Sequence, residues 1–295
     1  MNLELLTAEV RNDEAHKFTF TRPVQQFMVG FSKFVLQFKP PDHHVKKIIV
    51  DLSDCKKNNN EVVVKPNLVL EDTGKKSKPG DMFVNVVVLA SVGEGNRNVQ
   101  MIDGLKINEE KDFPSNFTTV RTALYSTFVQ FPNVDHHLQK YSSIIVPYVK
   151  ETTFSLNGQS MIYDKSSSHC GKVQGSVIMY NKNDSHILCE DFDSRKYRGT
   201  GTINFGNPPQ GFVPENYQIG CFIHGYELSY ETGEDHHLLK IEVSIDVQDN
   251  KLFIKDGSVC ANISLKAFLT DNGQNKFDIP HNIVSGFVVA FNNKA

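Results

Sequence analysis

The tripeptide Asp-His-His stands at three places in this chain, Asp42-His43-His44, Asp135-His136-His137 and Asp235-His236-His237, and takes in six of its eleven histidines. The flanks repeat with it. FSKFVLQFKPP precedes the first copy, LYSTFVQFPNV the second and IHGYELSYETGE the third, so Phe38, Phe131 and Tyr230 fall four or five residues ahead of the aspartates. An apolar residue follows each histidine pair (Val45, Leu138, Leu238), and then an alternating run, clearest in Ile48, Val50, Leu52 and in Ile241, Val243, Ile245, Val247. Farther on, each copy carries a second aspartate in a polar turn: Asp72-Thr73-Gly74, Asp164-Lys165-Ser166 and Asp271-Asn272-Gly273. Each then closes on an apolar run, VNVVVLASV, GSVIMYN and SGFVVAFNN. A chain that writes one order of elements three times is expected to fold one supersecondary unit three times.

The period of those runs decides the fold class. Apolar and polar residues alternate at period two, rich in Val, Ile, Phe and Tyr, and helical periodicity is scarce. Turn chemistry separates the runs at Lys57 to Asn60, Pro40-Pro41, Asp256-Gly257 and Asp271-Asn272-Gly273. The expectation is an all-β protein of three tandem antiparallel β-sandwich repeats, arranged with pseudo-threefold symmetry. The repeats would occupy residues 1–92, 93–181 and 182–295, each with roughly six strands. The Gly-rich stretch from Gly199 to Gly206 is followed by no helical pattern and reads as a turn or hairpin, not a phosphate cradle.

Charge narrows the partners. With 31 Lys+Arg against 34 Asp+Glu, the chain lacks the positive excess a nucleic-acid binder uses against phosphates. The first residues are charged from Glu4 onward and lack the apolar core of a secretory signal, and no stretch approaches the roughly 18 apolar residues of a membrane-spanning helix. Five widely spaced cysteines with no C-x-x-C pair suit free thiols in a reducing compartment. These features predict a cytoplasmic protein, peripheral membrane association and unconventional release being the alternatives.

Asp-His-His admits three readings. Adjacent residues of a strand point to opposite faces, so both histidines of one pair cannot face one ion from a regular strand. In the structural reading the aspartate bonds turn N–H groups, one histidine packs on the core and the other lies on the surface. In the metal reading, Asp42, one of His43 and His44, and Asp72 converge within the first unit. Asp135, His136 or His137 and Asp164 would do so in the second, and Asp235, His236 or His237 and Asp271 in the third. Mixed Asp and His donors suit zinc, manganese or nickel, whereas calcium would draw on the aspartates and backbone carbonyls. In the third reading the histidines form a pH switch. Asp-His-His also marks a class of phosphoesterases, but there it occurs once, among other Asp-rich motifs of an α/β fold. Nucleophile-elbow, Walker and H-E-x-x-H signatures are absent.

The order of aromatic strand, Asp-His-His, alternating strand and Asp-x-Gly turn resembles two groups. One is the H-type lectin modules, small six-stranded β-sandwiches that assemble as trimers and bind sugars at module interfaces. The other is the calcium-up-regulated, membrane-associated protein family of social amoebae. The resemblance implies a carbohydrate-binding or membrane-associated protein and carries over no sugar-binding residue. The resulting expectation is a non-enzymatic binding protein with three related β modules. It would recognise a glycan or a membrane surface or form a homo-oligomer, under calcium or pH control, because linked weak sites gain avidity. A β-rich toxin or pore-forming subunit is the first alternative. A metal-dependent hydrolase is the second, disfavoured because one active site would not need three intact copies of the motif.

Overall fold

The computed structural model describes residues 2–293 apart from 40–43, 73–79, 133–136, 165–166, 185, 198, 231–236, 272, 274 and 278–281. The described residues form antiparallel strands in three sheets, with no closed barrel and no helix beyond two short 3-10 turns. The first sheet runs β1 (Leu3–Arg11), β6 (Phe83–Val92), β3 (Val24–Gln37), β17 (Leu238–Val247), β19 (Ser258–Asp271), β15 (Thr200–Asn204). Two short strands, β18 (Phe253–Lys255) and β20 (Lys276–Phe277), also pair with β19. The second sheet runs β2 (His16–Thr19), β5 (Glu61–Asp72), β4 (Val45–Asn58), β9 (Thr119–Gln130), β13 (Lys172–Tyr180), β7 (Val99–Lys106). The third runs β12 (Ser168–Cys170), β11 (Thr153–Tyr163), β10 (Lys140–Lys150), β16 (Tyr217–Ser229), β21 (Ile283–Asn292), β14 (Ile187–Asp193), with β8 (Lys111–Asp112) beside β11.

The alternating run of the first copy forms a one-faced strand, whereas in β17 Glu242 and Ser244 are buried along with Ile241, Val243 and Ile245. In β4, Val45, Ile48, Val50 and Leu52 are fully buried, while Lys46, Lys47 and Asp51 lie on the other face and stay partly exposed. The continuous apolar runs do something different. VNVVVLASV becomes β6, GSVIMY the end of β13 and SGFVVAFN most of β21, and these strands are buried on both faces along most of their length. One face of each meets the larger apolar cluster and the other face the smaller one, so a polar face would meet no water. A cluster containing Met28, Leu89, Ala123, Ile178, Phe222 and Phe287 draws on all three sheets and packs them against one another. The turn at Asp256-Gly257 is a two-residue hairpin between Lys255 and Ser258, both central residues having positive φ (50° and 76°), the geometry that favours Asp-Gly.

No sheet lies within one of the segments 1–92, 93–181 and 182–295. Each takes strands from two of them. The chain leaves the first sheet after β3 and enters the second at β4. It leaves the second after β9 and enters the third at β10, and it leaves the third after β16 and returns to the first at β17. The three copies of Asp-His-His fall on these three crossings. The stretches that follow the two segment boundaries contain strands: β7 and β8 after the first, β14 and β15 after the second.

Candidate metal centre

Each crossing is pinned in the same way. The aromatic residue that follows the outgoing strand donates its backbone N–H to a carbonyl two residues past a motif histidine of another crossing. Phe38 bonds Leu239 at 2.9 Å, Phe131 bonds Lys46 at 2.9 Å and Tyr230 bonds Gln139 at 3.0 Å. One residue farther on, Lys47 pairs with Gln130, Lys140 with Ser229 and Lys240 with Gln37. On the other side the same three lysines pair with Glu71, Tyr163 and Thr270, the residues just before the second aspartates. Val45, Leu138 and Leu238, which follow the histidines, are fully or almost fully buried, as are Phe38 and Phe131, with Tyr230 close behind. All six belong to one apolar cluster.

Strands anchored this tightly bring the second histidine of each copy to one place. The ring centroids of His44 and His137 are 4.3 Å apart, those of His137 and His237 4.6 Å, and those of His44 and His237 5.3 Å. One ring nitrogen from each lies within 4.8 Å of those of the other two, and all three side chains are half-buried. Ligating nitrogens on a tetrahedral zinc-type ion, at about 2.0–2.1 Å from the metal, stand roughly 3.4 Å apart. Small ring rotations bridge that difference.

The lysines that follow the three histidines are paired with glutamates. Lys47 and Lys46 both reach Glu71, at 2.5 and 3.1 Å, and hold its carboxyl below the usual range. Lys140 meets Glu227 at 2.8 Å and Lys240 meets Glu242 at 2.6 Å. Three glutamates thus offset three of these four lysines.

The second aspartates do not join the histidines. The Asp164 carboxylate accepts from the Ser167 backbone N–H at 2.6 Å and from its hydroxyl at 3.1 Å. Asp271 accepts from the backbone N–H and side-chain amide of Asn275 at 2.8 and 3.0 Å. Both brace turns. Asp72 ends β5 opposite Val45. Among the described residues the one group of potential ligands that comes together is three histidines from three segments, with none of the second aspartates in it. Asp42, His43, Asp135, His136, Asp235 and His236 lie outside the described residues.

One ionisable group that sequence reasoning did not single out is Asp103 on β7. Burial raises its pKa to about 6, opposed by hydrogen bonds from Ser176 (3.1 Å), Tyr125 and the Val29 backbone. A carboxylate on a strand of alternating exposure carries no sequence signal of burial. No protein-family model matches the chain, and no curated protein or solved structure matches it.

Proposed function

We propose that this chain is a metal-binding protein built from three tandem six-strand repeats about a pseudo-threefold axis, with His44, His137 and His237 holding one divalent ion of the zinc type on that axis. The observation that carries the reading is the meeting of three imidazoles from distant segments, with one ring nitrogen of each within 4.8 Å of the others. The repeat arrangement is supported by the three matching backbone bonds of Phe38, Phe131 and Tyr230 and by the matching pairings of Lys47, Lys140 and Lys240. Each repeat gives half of one sheet and half of the next, so a repeat alone would leave its strand edges unpaired. Each of the three Asp-His-His copies lies on one of the connections at which the chain passes between sheets.

Ligand chemistry selects the ion. Imidazole suits zinc, nickel, cobalt and copper, and calcium prefers oxygen donors, which the described residues do not gather here. A bound ion ties together three crossings that are far apart in sequence, so binding energy becomes folding energy. The role is binding, not catalysis: an ion that secures the end of a three-part β scaffold whose outer faces are left for a partner such as a glycan or membrane surface. The test is a zinc titration of the metal-stripped full chain against a competing chelator. One zinc per chain is expected, lost in His44→Ala and in His137→Ala. Absence of stoichiometric binding, or binding unchanged in both variants, refutes the reading.

A further inference from the structure

A cleft of about 410 Å³ lies where the first half of β16 passes over β1, β6, β3 and the end of β17. That size falls within the roughly 300–1,000 Å³ of small-molecule sites. The proposed repeat arrangement gives this cleft two counterparts, and matching bonds mark them. Beside the cleft, the Gln218 side-chain oxygen accepts the Leu5 backbone N–H at 3.0 Å; beside the second, Gln26 accepts that of Met101 at 2.8 Å. The Cys221 thiol donates to the Ile245 carbonyl at 3.3 Å; beside the third, the Thr122 hydroxyl donates to the Ile145 carbonyl at 3.3 Å.

Counting from these bonds aligns the linings. Thr7, two past Leu5, answers to Asp103, two past Met101. Ser32 answers to Tyr125 and His224, each two past the trio Gly30, Ala123 and Phe222 that meets between the sheets. Gly220, just before Cys221, answers to Arg121, just before Thr122. The counterparts carry large side chains at these places. In the second cleft Tyr125 is buried and donates to Asp103, which also accepts from Ser176 at 3.1 Å. In the third, Arg121 pairs with Asp191 at 2.7 Å near the His224 ring. The open cleft has two hydroxyls and a glycine there instead.

We infer that this cleft binds a small aromatic amine, whose ring takes the place that Tyr125 and His224 fill in the other two. The inference rests on the repeat arrangement proposed above and is independent of the metal. The Ser32 hydroxyl, which accepts from the Asn85 amide at 3.4 Å, and the Thr7 hydroxyl offer hydrogen bonds to the ligand. Val87 and Ile245 offer apolar contact, and the Cys221 sulfur suits an aromatic edge. Asp246 lines the cleft and is exposed, and among the described residues no lysine, arginine or histidine joins the lining. The field there favours a cation over an anion.

Titration calorimetry of the full chain with tyramine tests this, against phenol, which lacks the charge, and 4-hydroxyphenylacetate, which reverses it. The expected result is saturable binding of one tyramine per chain, tighter than phenol, with 4-hydroxyphenylacetate weakest. Ser32→Tyr installs the residue that the second cleft already holds. It should keep the parent's circular dichroism and Tm and weaken tyramine binding by about tenfold or more. Asp246→Asn, an exposed change, should bring tyramine down to the affinity of phenol. No tyramine binding at millimolar concentration, or binding unchanged in folded Ser32→Tyr, overturns the inference and leaves the repeat arrangement standing. An unfolded Ser32→Tyr counts against the correspondence with Tyr125 and so against the repeat arrangement; Asp246→Asn then decides the ligand's place, and unchanged tyramine affinity in it overturns the site.

Discussion

Replacing Gly30 by alanine adds one methyl group where residues of all three sheets meet. Gly30 lies on β3, Ala123 on β9 and Phe222 on β16. A Cβ built on Gly30 would stand 2.8 Å from Phe222 Cδ1 and 2.9 Å from Ala123 Cβ. Carbon pairs pack best at about 3.5–4.0 Å, so the new methyl is too close by more than half an ångström on two sides at once. Neither neighbour has room to retreat. Phe222 is fully buried and stacks on Phe287 with centroids 5.1 Å apart, and Ala123 is fully buried on its own strand. The backbone of Gly30 is not in the left-handed region, so alanine gains the usual unfolded-state benefit of about 0.4–1 kcal/mol. Overpacking costs about 1–3 kcal/mol, and two simultaneous clashes put this site at the upper end, for a net loss of about 2 kcal/mol. With an unfolding entropy of about 2.1 cal/mol/K per residue over 295 residues, that loss lowers Tm by about 3 °C. Urea and thermal denaturation followed by circular dichroism measure both quantities. Adding Phe222→Leu should relieve the clash, so the double variant should be more stable than the sum of the two single losses by about 1 kcal/mol or more. A Gly30→Ala protein as stable as the parent, or strict additivity in the double variant, would refute this account of how the sheets meet.

Two further outcomes concern ions and protons. Zinc at a free concentration of about one hundred times its Kd should stabilise the fold by about 2.7 kcal/mol, read as a Tm rise of about 4 °C that disappears in His237→Ala; an equal rise in that variant would place the effect at another site. Asp103 titrates at about 6 against an ordinary 3.8. The folded state therefore holds this proton more tightly than the unfolded chain, and stability falls as pH rises from about 4 to about 6, then levels off. The gap corresponds to about 3 kcal/mol. Asp103→Asn should flatten that part of the stability–pH curve, and an unchanged slope in the variant would show that other groups produce it.

What the sequence disclosed, and what it withheld, divides along a physical line. Periodicity reports which face of a strand is buried: the alternating run of Ile48, Val50 and Leu52 became a one-faced strand and the continuous apolar runs became the doubly buried β6, β13 and β21, but β17, despite its alternation, buries Glu242 and Ser244 between Ile241, Val243 and Ile245. Residue type reports local turn chemistry, so Asp256-Gly257 could be placed at a hairpin and the acidic turn residues Asp164 and Asp271 could be expected to accept backbone N–H bonds. The aromatic ahead of each motif was visible as a repeat. Neither signal says which strand pairs with which. Gln130 and Ser229 sit beside Lys47 and Lys140 because the chain changes sheet at every Asp-His-His, and a change of sheet leaves no trace in a window of ten residues. A search for ligands within each unit therefore joined each histidine to the second aspartate of its own copy, and of these Asp164 and Asp271 brace turns. Of each pair the second histidine is described, and His44, His137 and His237 come together. Within each unit, three copies of one tripeptide suggest three separate sites. Because the crossings that carry the motif run from the first sheet to the second, the second to the third and the third to the first, the second histidine of each copy arrives at one place instead, and a triple recurrence of this kind is what the proposed single ion would require.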